Sequence, residues 1–484
     1  MQTLDLASIK KRSLTGIVTL TSRTFILQII AFAATFLLTI FLSPATFGIF
    51  YVVSAIISFL TYFSDIGLAA ALIQKKEELT SDDLATTFTI QQLLVFTVVV
   101  FALLSSQAIA VFYRLDTQGL WLFRALVVSL FLSSLKTIPS VILERKLDFQ
   151  TLVIPQILET IAFYTVAVIL AWQGWGIVSF TWAVLARAVV GVVSIYLLAP
   201  WKLSLGLSKL VAGKLLRFGL PFQINSLLAL VKDDLMTVFL GKVLPFSEVG
   251  YLGWAKKWAE VPLRLFMDSV VRVTFPAFAR LQHAKISLGK AIEKTLFGLS
   301  SVIFPISVGL LFFMEPLVKL IPRYVKWEPA LFSFYLLAIG SAVSSLSVPL
   351  TNTLNAIGRI KVTLILMVMW TTLTWILTII LVKLLGFQGF AWAILVITGT
   401  IILVAWIVKR FVPFAFLPNI KYPLIGAVLQ GGWYWVLRGN PPYAWPRLIS
   451  VAAGGVILYL ACLWLTEKSR IRGILSELIK TKIK

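Results

Sequence analysis

Residues 362–408 read VTLILMVMWTTLTWILTIILV, then KLLGF, then QGFAWAILVITGTIILVAWIV, with Lys383 as the single charge. Two apolar runs of about 20 residues flank a short turn at Gly386, and each is long enough to cross ~30 Å of hydrocarbon as a helix. The same pattern extends in both directions along the chain. Apolar runs bounded by charge, Pro or Trp fall at 14–42, 46–73, 84–112, 120–143, 152–172, 176–199, 215–240, 248–279, 291–314, 329–355, 362–382, 388–408, 421–437 and 446–465. The seventh and eighth carry many charges, and the thirteenth is short. Of the 484 residues, 59% are apolar and 13% charged, and the mean hydropathy is +0.96. An average soluble domain is about 45–50% apolar and about 25% charged. This chain has too little polar surface to dissolve as a globule. The reading is an all-α polytopic membrane protein of about 14 transmembrane helices.

Charge sets the orientation. With the amino terminus inside, 26 of the 43 Lys and Arg fall in or at the edges of cytoplasmic segments and eight in or at the edges of outside segments, and nine remain deeper within spans. That bias predicts an even number of spans with both termini on the cytoplasmic side. It also accounts for much of the +23 net charge without nucleic acid, because a basic inner face suits anionic lipid. The tail 468–484, KSRIRGILSELIKTKIK, reads as a basic amphipathic stretch lying on the inner leaflet.

Several chemistries are excluded. Cys462 is the only Cys and His283 the only His, so neither an internal disulfide nor a zinc site can form. Gly206 and Gly213-Lys214 have the wrong spacing for a nucleotide-binding P-loop. No loop exceeds about 17 residues, which leaves no room for a soluble catalytic domain. A membrane polymerase or glycan ligase needs such a loop. No enzyme activity is expected, and no cofactor beyond Na⁺ or H⁺ as a coupling ion.

The two halves share a pattern. Leu42-Ser43-Pro44 with Phe47-Gly48 opens the second span, and Leu244-Pro245 with Val249-Gly250-Tyr251 opens the eighth. Pro139 near the end of the fourth span parallels Pro349 near the end of the tenth. Parallel six-helix repeats are a transporter architecture, with substrate at the repeat interface. The expected domains are an N-lobe at 1–205, a C-lobe at 206–412, two extra helices at 413–466 and a basic tail at 467–484.

Charges inside spans are the candidate functional residues, because each one facing lipid costs at least about 2.5–3.5 kcal/mol. The cationic-cavity candidates are Arg23, Lys136, Arg187, Lys232, Lys257, Arg264 and Arg272. The ion-coupling candidates are Asp233, Asp234, Asp268 and Glu159. Lys257, Glu260, Arg264, Asp268 and Arg272 recur at spacings of three and four, so they share one helix face beside Pro262 with alternating sign. Arg23 lies near mid-span, with Asp65 and Asp268 as candidate partners. Arg124 is near enough to a span end to snorkel. Most Trp residues, Trp327 among them, fall near span ends, as an interfacial belt would place them.

The order of motifs resembles the Wzx-type lipopolysaccharide O-unit and exopolysaccharide flippases of the multidrug/oligosaccharidyl-lipid/polysaccharide exporter superfamily. The resemblance rests on Leu42-Ser43-Pro44, Asp65-Ile66-Gly67-Leu68 and Arg145-Lys146-Leu147-Asp148-Phe149-Gln150 in the first half. In the second it rests on Asp233-Asp234, Val249 to Ala255, Val261-Pro262, Thr274 to Gln282, Glu315-Pro316-Leu317 and Asn355 to Arg359. It implies two six-helix lobes around a cavity, alternating access, and an undecaprenyl-pyrophosphate-linked oligosaccharide moved from the inner to the outer leaflet. Lipid II flippases of the same superfamily line their cavity with arginines in the first and eighth helices, and Arg23, Arg264 and Arg272 occupy comparable places. The resemblance also implies membrane lipids and polysaccharide polymerases as partners, and a monomer. The alternatives are a lipid II flippase and a cation-coupled small-molecule exporter. The latter predicts an acidic cavity, whereas basic residues outnumber acids nine to six within these spans.

Overall fold

A computed structural model describes residues 26–482 apart from 65, 438 and 440–442, and the side chains of all of these except 218–226, 229, 268, 269, 471 and 473–482. Arg23, Asp65 and the Asp268 side chain therefore lie outside the described residues.

The described chain is helical, with no strand among the described residues. Each of the fourteen apolar runs corresponds to one helix or to two consecutive segments. They are α1 (Ile26–Phe41), α2 (Pro44–Ser64, then Leu68–Gln74), α3 (Ser81–Leu104, Ser106–Tyr113), α4 (Thr117–Ser134, Thr137–Arg145), α5 (Phe149–Trp172), α6 (Val178–Leu198) and α7 (Lys209–Val243). The chain continues as α8 (Phe246–Ala259, Val261–Arg280), α9 (Lys285–Leu320), α10 (Leu331–Ser344, Ser347–Ala356), α11 (Ile360–Leu385), α12 (Gln388–Thr398, Ile401–Lys409), α13 (Leu417–Leu437) and α14 (Trp445–Lys482). Ten of these helices are long and apolar enough to cross a membrane, and α1 is a shorter apolar helix. The other three are α7, α8 and α13, the spans whose sequence is most charged or shortest.

Local chemistry fixes the ends. Asp116 and Asp148 accept the Gly119 and Thr151 backbone N–H groups at the starts of α4 and α5, at 2.7 and 3.1 Å. Thr80 and Asp83 form a reciprocal capping box at the start of α3. Proline sets the internal breaks. Pro139 is the third residue after the break in α4, and Pro349 is the third after the break in α10. Pro139 supplies no N–H to the Leu135 carbonyl four residues back. The Tyr196 hydroxyl of α6 donates to that carbonyl instead, at 3.0 Å.

Two compact units divide the chain, residues 1–250 and 251–484. The sequence places a lobe boundary at 205/206, whereas the compact boundary falls after Gly250. The reason is that α7 packs along α2 and α3. Gly241 of α7 abuts Val52 of α2, and Lys242 donates to the Phe112 carbonyl at 2.8 Å. Within the first unit α4 packs on α2 and α6, and α6 packs on α5; within the second, α10 packs on α8 and α12, and α12 packs on α11. The same order of contacts therefore recurs in both halves.

The second unit holds a continuous apolar core from α8 to α14, including Phe278, Ile292, Leu350, Val404 and Tyr459. Trp254 stacks on Trp327 at 5.5 Å and donates to the Tyr324 hydroxyl at 3.1 Å. Trp327 is fully buried, which corrects its assignment to an interfacial belt: its helix end is covered by protein. Helix α13 packs on α9, and α14 on α13. Tyr459 ties α14 to the Ser301 carbonyl of α9 at 2.9 Å. Beyond the break at Glu467, Arg470 bonds to Asn419 and to the Glu293 carbonyl.

Candidate functional site

Three of the charges singled out in the sequence meet in the first unit. The Glu159 side chain is 10% exposed and is held between two cations. Lys136 Nζ lies 2.6 Å from Oε1, and Arg187 Nε lies 3.7 Å from Oε2. The three residues come from α4, α5 and α6. Each lies about ten residues, or about 15 Å, from the same end of its helix, near mid-membrane depth.

The local fold explains the meeting. Lys136 occupies the break of α4, where the chain leaves regular helix before Pro139. Glu159 lies in the buried stripe of α5 with Leu152, Phe163, Ala167 and Ala171. Its carboxyl rests against Gly191 of α6, where any side chain would collide with it. Polar groups frame the break. Gln91 donates to Thr137 at 2.8 Å, and Gln92 donates to Ser134 at 3.0 Å. The Tyr164 hydroxyl of α5 is hydrogen-bonded to Thr35 of α1 and lies within electrostatic reach of Arg187.

Two cations face one carboxylate, so the cluster carries a net positive charge. A buried pair of this kind contributes little net stability, but removing one partner costs about 3–5 kcal/mol because the other is left uncompensated. Lys136 is 17% exposed and fully engaged by Glu159, whereas Arg187 is 55% exposed. The arrangement can present a positive guanidinium to an anion while remaining locally compensated.

The remaining candidates occupy other elements. On α7, Asp233 is exposed, and Lys232 and Asp234 are half-buried. In the second unit, Lys257 is half-buried in the first segment of α8. Arg264 pairs with Glu260 at 2.7 Å one turn away, and Arg264 and Arg272 are exposed, whereas Met267, Thr274 and Phe278 of the same helix are buried. The alternating-sign stripe thus forms at least this one within-helix pair. Arg124 donates to Ser106 at 3.2 Å near the other end of α4, and His283 is exposed.

Sequence reasoning passed over Tyr164, Tyr196, Gln91 and Gly191. One signal was available for Gly191, which lies one helical turn beyond Arg187 and removes the side chain where an intramembrane charge needs space.

A multi-pass helical protein with a compensated cationic cluster at mid-membrane depth has the form of a transporter. Residues 37–332 match the family described as polysaccharide biosynthesis protein, and the chain belongs to that family. It is 22% identical over 452 residues to the succinoglycan biosynthesis transport protein ExoT of Rhizobium meliloti strain 1021, a match covering 90% of this chain and 89% of that one. It is 27% identical over 147 residues to the lipopolysaccharide biosynthesis protein WzxC of Escherichia coli K12, covering 30% of each. In fold it is similar to the lipid II flippase MurJ in an inward closed conformation, with a TM-score of 0.75 at 16% identity, over 94% of this chain and all of that one.

Proposed function

We propose that this protein is a flippase that moves a polyprenyl-pyrophosphate-linked oligosaccharide across the cytoplasmic membrane by alternating access. The observation that carries the reading is the net positive Lys136–Glu159–Arg187 cluster at mid-membrane depth in a member of the polysaccharide biosynthesis family. A pyrophosphate must give up its hydration to cross the hydrocarbon, and a fixed cation replaces part of that hydration. A small-cation exporter needs the opposite polarity. The lipid tail stays in the bilayer while the charged linkage and glycan cross within protein.

The orientation follows from the basic helix ends. Within the second unit Arg280, Arg359, Arg410 and Lys468 share one end of the helices, and Arg410 lies over the Trp406 ring at 3.5 Å, as an interfacial pair does. That end faces the cytoplasm in this reading. Asp233 and Asp234 are the candidates for coupling to Na⁺ or H⁺.

The test is flipping in proteoliposomes with an undecaprenyl-pyrophosphate oligosaccharide, with and without an imposed Na⁺ or H⁺ gradient. Gradient-driven appearance of glycan on the far side supports the reading and names the ion. Failure to move any lipid-linked glycan, together with export of a soluble cation from the same vesicles, overturns it.

A further inference from the structure

The cluster has an internal division of labour that the family reading does not assign. We propose that Arg187 is the phosphate-recognition point of the first half, that Glu159 is its positioning residue, and that Lys136 supplies the charge offsetting Glu159. The proposal rests on the flippase reading only for the source of the phosphate.

The direction of Arg187 is the first observation. Along α6, the exposed apolar residues Trp182, Val189, Val193 and Leu197 form one line, which is the lipid-facing side. At about 100° per residue, Arg187 projects roughly 125° away from that line. It falls instead within the arc of Phe180, Ala183, Val184, Gly191 and Ser194, all of them buried. An Arg on the packed face should be buried, yet its side chain is 55% exposed. Its exposure is therefore on the side of α6 turned away from the lipid-facing line.

The second observation is how the guanidinium is held. Glu159 approaches Nε, and among the described residues no other carboxylate pairs with Arg187. No described residue hydrogen-bonds the two terminal nitrogens, the pair that grips a phosphate side by side.

The third is the comparison between halves. Aligned on Pro139 and Pro349, Lys136 corresponds to Leu346, which is 2% exposed in the apolar core. The spans 329–355, 362–382 and 388–408 hold no charged residue. The three-helix skeleton therefore forms without the triad. Its three charges in the first half serve something other than the fold.

The experiment uses the full chain in nanodiscs of zwitterionic lipid, with binding of inorganic pyrophosphate and of undecaprenyl pyrophosphate measured directly. Arg187→Gln should weaken both by about tenfold or more, the loss of a charge-assisted hydrogen bond, and Arg187→Lys should recover only part. Glu159→Gln should weaken binding while the salt dependence is retained, because the guanidinium is still charged but no longer held. Where Glu159→Gln fails to fold, the double variant Glu159→Gln with Lys136→Met restores charge balance and should fold with the same weakened binding. Arg124→Gln should bind like the parent. Unchanged pyrophosphate affinity in folded Arg187→Gln overturns the proposal, and so does full binding by the double variant. Arg187-dependent binding of an anionic phospholipid, without binding of undecaprenyl pyrophosphate, upholds the phosphate site and assigns it to lipid headgroups; the flippase reading then falls on its own.

Discussion

Gly48 and Gly250 occupy matching places at the starts of α2 and α8, and each meets the other helix's first turn. A Cβ on Gly48 would overlap the Phe246 carbonyl, and a Cβ on Gly250 would overlap the Pro44 carbonyl. Both Gly48/Gly250 and Pro44/Phe246 are 202 residues apart. The contact is thus reciprocal, and it joins the two copies of the Pro-turn-Gly-aromatic pattern. Backbone lies against backbone here, with no room for a side chain.

Gly48→Ala or Gly250→Ala should therefore lower the melting temperature of the purified protein, with an overpacking cost of about 1–3 kcal/mol. Gly298 and Gly309 in α9 have open space, with nothing within 4 Å, where a Cβ would stand, so Gly298→Ala should be neutral or slightly stabilising by the usual helix preference. Thermal unfolding of these variants side by side separates close approach from mere flexibility. Equal effects at Gly48 and Gly298 would remove the packing argument.

Glu159→Gln should destabilise the first unit by about 3–5 kcal/mol, because Lys136 and Arg187 are left facing each other without the carboxylate. Adding Lys136→Met should return most of that loss. The check is a double-mutant cycle of unfolding midpoints. Additive losses would show that the two residues are not coupled.

The architecture was legible because it is local. Length of apolar runs gave the spans, and the three helices of weakest signal, α7, α8 and α13, are those whose sequences carry charges or are short. The within-helix pair Glu260–Arg264 was legible for the same reason: a spacing of four on one helix brings two side chains together. Glu159 was different. Its partners sit on two other helices, and no spacing announces which helices touch. The Trp327 burial was illegible on similar grounds, since a Trp at a helix end looks the same whether lipid or protein covers it. The boundary after Gly250 depends on α7 packing along α2 and α3, a tertiary contact that composition does not encode.

Tyr324→Phe should cost about 1–2 kcal/mol despite removing a single oxygen. The Trp254 indole N–H would lose its acceptor inside a cluster where Trp254, Tyr324 and Trp327 are all at most 1% exposed. Unfolding of the full chain in detergent measures the loss. An unchanged midpoint would mean that the indole finds another partner.

Arg264→Ala separates a structural charge from a transport charge. Its pair with Glu260 is an exposed contact one helical turn apart, with Arg264 57% exposed. Such pairs contribute only about 0.3–0.5 kcal/mol. Removing Arg264 should therefore leave the melting temperature almost unchanged. If this arginine helps carry the pyrophosphate linkage through the membrane, surface-glycan export by a well-expressed Arg264→Ala variant should nevertheless collapse. Arg264→Lys should restore part of it, because charge returns without the planar fork. Normal export by the Ala variant at parental expression would confine the phosphate contacts to the first half, around Arg187, and leave Arg264 as a solvated partner of Glu260.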